Sequence, residues 1–194
     1  MIEYIKGELT RLTPTDATIE TPSGVAYLLN ISLNTYTPLN GQKQCRLWVH
    51  EVIREDAWQL YGFFTEQERE LFRLLIGVSG VGASIARMIL SSLPPSELEQ
   101  VITSAASARL KSVKGIGAKT AERIIVDLKD KIKPAGDTLL QQVTFKSEVF
   151  EEALAAMVML GFPKQQAQKV MKKLFDANPD LKVEDAIKKG LAMM

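Results

Sequence analysis

The chain has 194 residues, 46% hydrophobic and 24% charged, with a formal net charge of +1. At ~150 residues per domain this allows one to three small units, and the ordinary composition excludes a disordered chain. One cysteine, Cys45, and one histidine, His50, exclude a disulfide framework and multi-cysteine or His-rich metal sites, and no apolar run nears the ~18 residues of a membrane span.

The polar start MIEYIKGELT does not read as a signal peptide. A reduced, cytoplasmic setting is the default. Charge is uneven: Lys and Arg against Asp and Glu run 5 to 7 over residues 1–64, 11 to 8 over 65–133 and 8 to 8 over 134–194. Arg109, Lys111, Lys114, Lys119 and Arg123 face only Glu122 within residues 109–123. Alone, such a cluster reads as a solvated face; it is also the footprint of a phosphate-bearing partner.

Residues 1–64 carry strand texture, with strands expected at 2–11, 16–21, 25–33, 44–53 and 58–63 and no helix-length period. Five short strands separated by turn signals suggest a small barrel or sandwich. Arg54-Glu55-Asp56-Ala57 has the length of a hairpin tip. Cys45 and His50 fall mid-strand and read as packed residues.

From Thr65 the period becomes helical. Thr65 with Glu68 forms a capping box, a second helix covers 82–92, and Ser96 with Glu99 starts a third. A short helix follows at 107–113 and a longer one at 118–132. Residues 134–147, rich in Pro, Gly and polar side chains, read as a flexible linker. Three helices close the chain at 148–160, 163–176 and 182–193, with Pro163 in the first turn of the middle one. So small a unit suits docking better than catalysis. Met157, Leu160 and Phe162 cluster there as core residues, some of them exposed to receive a partner.

The middle segment repeats itself at an offset of 35 residues: LIGVSGVGASIARMIL at 75–90 against LKSVKGIGAKTAERII at 110–125. Each copy is a helix, a Gly-hydrophobic-Gly turn and a second helix. Glycines keep side chains off the turn, and Val81 or Ile116 between them pins it. The following helix then offers its unpaired N–H groups and positive dipole end as a phosphate seat. Gly80, Val81, Gly82 and Ser84 form the first candidate seat; Gly115, Ile116, Gly117, Lys119, Thr120 and Arg123 form the second. Backbone donors do not read bases, so binding is expected to be independent of sequence. Gly117-Ala118-Lys119-Thr120 lacks the other glycines and the preceding strand of a P-loop, so ATP hydrolysis is not expected. Glu55 and Asp56 alone read as a solvated turn. Beside seated phosphates, they would repel the backbone and part strands locally.

With these parts placed, the chain resembles the RuvA family of Holliday-junction-binding proteins. The resemblance is carried by HEVIREDAWQLYGF (50–63), Gly80-Val81-Gly82, VKGIGAKTAERIIVDL (113–128) and ALAAMVMLGF (153–162). It implies an α+β multidomain protein: an OB-fold barrel over 1–64, two helix–hairpin–helix motifs over 65–133, and a UBA-like three-helix domain over 148–194. It implies a non-catalytic homotetramer, or two tetramers clasping the DNA as an octamer, that binds four-way junctions and needs no cofactor or metal. Glu55 and Asp56 become an acidic pin at the crossover. Met157, Leu160 and Phe162 become the dock for the hexameric ATPase RuvB, and the resolvase RuvC a further partner. Relatives commonly carry lysine at the positions of Ser84 and Ala118, so a weaker salt dependence is expected here. The alternative is a helix–hairpin–helix glycosylase/lyase with Lys119 as Schiff-base nucleophile and Asp137 downstream, which would require Lys119 to be desolvated or beside a cation.

Overall fold

The computed structural model describes residues 1–132, 144–178 and 181–193. The chain divides into two compact units, Met1–Ala135 and Gly136–Met194.

The first unit opens with β1 (Tyr4–Leu12), β2 (Asp16–Glu20) and β3 (Ala26–Ile31), then α1 (Leu33–Leu39), β4 (Gln44–Ile53) and β5 (Trp58–Phe63). The strands close a barrel in the order β1-β2-β3-β5-β4, antiparallel except for β3 with β5. Ile5, Ala17, Ile19, Leu29, Leu47, Val49 and Leu60 fill it. Cys45 is buried among them, as expected, and burial raises its thiol pKa.

Helix α1 was not expected from the sequence. Ser32 starts it by accepting the Thr35 N–H at 3.0 Å. Its seven residues, with Pro38 in the last turn, are too few to show a period.

The helical part comprises α2 (Glu66–Ile76), α3 (Ala83–Ser92), α4 (Pro95–Thr103), α5 (Ser107–Lys111) and α6 (Ala118–Leu128). Thr65 caps α2, its hydroxyl accepting the Glu68 N–H, but the expected capping box is only half formed, because the Glu68 carboxylate accepts from Ser32 and Thr35 instead. Ser96 does not start α4. The helix begins at Pro95, which needs no N–H in the first turn, so Pro94-Pro95 ends one helix and opens the next.

Barrel and helices share β5 as a wall. Leu60 faces the barrel core, while Tyr61 and Phe63 pack with Phe72 of α2 in the helical core. His50 on β4 lies 5.5 Å from the Phe72 ring. Burial, with Arg73 and Arg69 nearby, lowers its pKa, in keeping with a packed neutral imidazole.

Two polar clusters fasten the joint. Glu68, buried on α2, accepts from the hydroxyls of Ser32 and Thr35, the latter at 2.8 Å. Arg69, also buried, lies 4.8 Å from the Trp48 ring centroid and donates to Glu3 Oε1 at 2.6 Å and Glu66 Oε1 at 3.0 Å.

The second unit holds α7 (Thr144–Met159), α8 (Lys164–Ala177) and α9 (Val183–Leu191). Helix α7 begins before the expected position 148, taking in residues 144–147 of the expected linker; the rest of that linker within 134–143 lies outside the described residues. Pro163 stands just before α8 as its N-cap rather than inside its first turn. The core is Ala153, Leu154, Met157, Ala167, Met171 and Ala186. Among the described residues no helix is long and apolar enough to cross a membrane.

Candidate nucleic-acid interface

The two repeats fold alike. Val81 donates its N–H to the Val78 carbonyl at 3.0 Å, and Ile116 donates to Val113 at 3.1 Å. Gly80 and Gly115 have φ of 91° and 90°, the left-handed region where a side chain is strained. Gly82 and Gly117 cap α3 and α6 with φ/ψ of −86°/170° and −80°/167°, extended values open to any residue. A Cβ on either cap glycine would meet nothing within 4 Å. The chain's own packing therefore gives no steric reason for glycine at 82 or 117.

The first helical bonds run from Ala86 N–H to Gly82 and from Ala121 N–H to Gly117. The N–H groups of residues 83–85 and 118–120 precede those bonds, and neither cap supplies a side-chain acceptor. Six donors thus lie ahead of the first intrahelical bonds at two dipole-positive helix ends. Val81 and Ile116 are buried and their N–H groups are used inside the turns. They hold the turns, and Ala83 and Ala118 are the first residues whose N–H groups lie ahead of the helical bonds, a placement not expected from the sequence. The signal was available, since both alanines recur at the repeat offset.

The basic cluster is smaller than its count. Arg109 pairs with Glu97 at 2.7 Å, and Lys111 lies 3.9 Å from Glu122. Lys114, Lys119 and Arg123 are exposed and form no ion pair among the described residues. Arg123 donates to the Ser79 carbonyl at 3.3 Å, so the second repeat reaches the turn of the first. Ser84 is exposed and Thr120 half-buried at the matching helix starts.

Helix α1 braces the far end of α3. Asn34 donates to the Leu90 and Leu93 carbonyls at the end of α3, and Leu33 N–H donates to Ser91 Oγ at 3.1 Å. Arg87 of α3 donates to Thr15 O and Asn30 Oδ1 at 3.1 and 3.2 Å. The first seat is thereby fixed to the barrel, through contacts that no local sequence pattern announces.

Strands β4 and β5 form the expected hairpin, closed by Arg54 N–H to Ala57 O at 2.8 Å. Arg54, Glu55 and Asp56 are exposed at its tip.

In the second unit Met157 is fully buried, with its Cε 3.5 Å from where a Gly190 Cβ would stand. It is a core residue and presents no surface to a partner, contrary to its expected docking role. Leu160 is exposed and Phe162 half-buried, beside exposed Val158 and Met159. Gly161 N–H to Val158 O and Phe162 N–H to Met157 O close the end of α7 in the Schellman pattern, which sets this corner.

Lys119 is exposed at the first turn of α6, without the desolvation a Schiff-base lysine would use. Asp137, its expected partner in that alternative, lies outside the described residues. Among the described residues no three His, Cys, Asp or Glu side chains gather as metal ligands.

Three family models match: RuvA N terminal domain over residues 1–62, SAM-like helix-hairpin-helix tandem over 72–130, and RuvA, C-terminal domain over 148–194. The chain is 52% identical to the Holliday junction branch migration complex subunit RuvA of Bacteroides thetaiotaomicron, over 98% of each chain. It is 54% identical to the protein of the same name from Parabacteroides distasonis and 46% identical to that from Porphyromonas gingivalis, both over 100% of each chain.

Proposed function

Because the chain belongs to the RuvA family, we propose that it binds four-way DNA junctions through their backbones, without regard to sequence, as a subunit of a branch-migration complex. One observation carries the reading: two matched helix starts whose cap glycines have no internal partner and whose N–H groups lie ahead of the first helical bond. A phosphate oxygen approaching Gly82 or Gly117 meets backbone donors and no side chain. Lys114, Lys119 and Arg123 add charge at the second seat, and the Ser84 and Thr120 hydroxyls are candidate neutral donors.

Glu55 and Asp56 act as a pin. Their charges repel phosphates, so the hairpin fits where strands diverge rather than along a continuous duplex. Four copies would surround one crossover. The subunit itself carries no catalytic residue; ATP-driven pumping belongs to RuvB, docked through Leu160 and Phe162 of the second unit, with RuvC as a further partner and the cytoplasm as the setting. The glycosylase/lyase alternative is not favoured, since full-length similarity runs to branch-migration subunits and Lys119 is solvated.

Gel-shift titration of a static four-way junction and a linear duplex, in two sequences and across a salt series, tests the reading. Preference for the junction in both sequences supports it. Equal affinity for junction and duplex overturns it.

A further inference from the structure

The last rung of the β4–β5 ladder pairs Ile53 with Trp58, and both side chains are in solvent, 72% and 66% exposed. By the two-residue repeat of a strand, this pair lies on the face that carries Val49 and Leu60 in the barrel core. Between Val49 and Ile53 on β4 the same face carries Glu51, whose carboxylate is taken up by the Ile2 N–H and the N-terminal amine, so the Ile53–Trp58 pair forms a separate apolar rung at the rim, uncovered by the described residues. Trp58 is the most exposed aromatic side chain among the described residues, and it stands two positions from Asp56.

We infer that the Trp58 indole stacks on a nucleobase that has lost its neighbour at the branch point. This rests on the junction-binding reading and adds to it a residue that positions the crossover. Size favours a base over a protein partner. A standard protein interface buries ~800 Å² per partner, whereas one aromatic side chain buries about 150–250 Å², which suits a single base. Charge selects the base over the backbone, because Glu55 and Asp56 repel phosphates while leaving a neutral ring free to approach. Bases in a continuous duplex are already stacked on both faces. Those at a crossover are the least costly to free, and any of the four bases offers a π face, so stacking keeps recognition independent of sequence.

The test uses the full-length chain, titrated with a static four-way junction and with linear duplex of the same arm sequence. Tryptophan emission is followed for the wild type and for Trp58→Phe; Trp48 gives the same background in both. The junction is expected to quench a component present in the wild type and missing in Trp58→Phe, and duplex is expected to leave it unchanged. Trp58→Ala is expected to weaken junction binding by roughly 5- to 150-fold with duplex binding retained, and Trp58→Phe to keep most of the affinity. Tight junction binding with the same emission change in both proteins, and no loss in Trp58→Ala, overturns the stacking and leaves the junction reading standing. A wild type that binds junction and duplex equally overturns both. A component missing from Trp58→Phe that follows protein concentration without DNA, and that the junction leaves unchanged, assigns the pair to a second copy and overturns the stacking alone.

Discussion

Each repeat holds two glycines with different work. Gly80 and Gly115 answer to the backbone, at φ near +90°. Gly82 and Gly117 have extended backbones and open space where a side chain would stand, the space proposed for a phosphate. Gly80→Ala and Gly115→Ala should therefore cost about 1–2 kcal/mol of stability, read as a lower urea midpoint of tryptophan emission. Both tryptophans, Trp48 and Trp58, lie in the first unit, so this probe follows that unit alone. Gly82→Ala and Gly117→Ala should lose no more than about 1 kcal/mol as cap changes and yet weaken junction binding about tenfold or more, the scale of a hydrogen bond to a charged group. Glu68 gives a pH prediction. Burial raises its pKa, against the lowering effect of the Ser32 and Thr35 hydroxyls. The folded state then holds the proton more tightly than the unfolded one, so Glu68 supports stability below the usual carboxylate range and loses that support as pH rises through its raised value. Urea unfolding of Glu68→Gln and wild type at pH 4 and pH 8 should show the glutamine variant gaining on wild type as pH rises. The glycine pairs were legible because they recur with their flanks. The Glu68 cluster was not, because its partners lie 36 and 33 residues away.

Helix α6 offers cations where α3 offers Ser84, so the two seats differ in charge while matching in backbone. Lys119→Ala should weaken binding to every junction sequence alike and reduce the slope of log K against log salt by about 0.9. Arg123→Ala should do the same and also release the Ser79 turn, so its loss should exceed that of Lys119→Ala in the same salt-series gel shift. Glu55→Gln with Asp56→Asn should tighten binding to linear duplex and lower the junction-to-duplex ratio; an unchanged ratio would remove the pin role. At this scale the strands, α2 and the second repeat were legible from alternation, caps and period. Helix α1 was not, because seven residues ending near Pro38 make no period, although Ser32 marked its start. Its absence from the sequence reading also hid how α3 is held.

Across the whole chain, a strand-rich third, a repeated helical third and a small helical end were visible as changes of texture. The fusion of the first two was not, because residues 58–63 are apolar on both faces and either side could have been the core. The division into units predicts separable roles. A chain of residues 1–132 should keep junction preference in gel shifts and fail to stimulate RuvB-driven branch migration.

The cap glycines also bear on motion. A seat built from main-chain donors meets the same phosphate geometry at every nucleotide step, and with no base edge to recognise it has no preferred address along an arm. The energy profile of the DNA through such a seat repeats once per nucleotide, with shallow wells in place of a single deep one. On the proposed seating the protein would act as a low-friction bearing: it would fix where the four arms meet while letting each slide, so that the force of a pump would go into exchanging base pairs and little of it into breaking the grip.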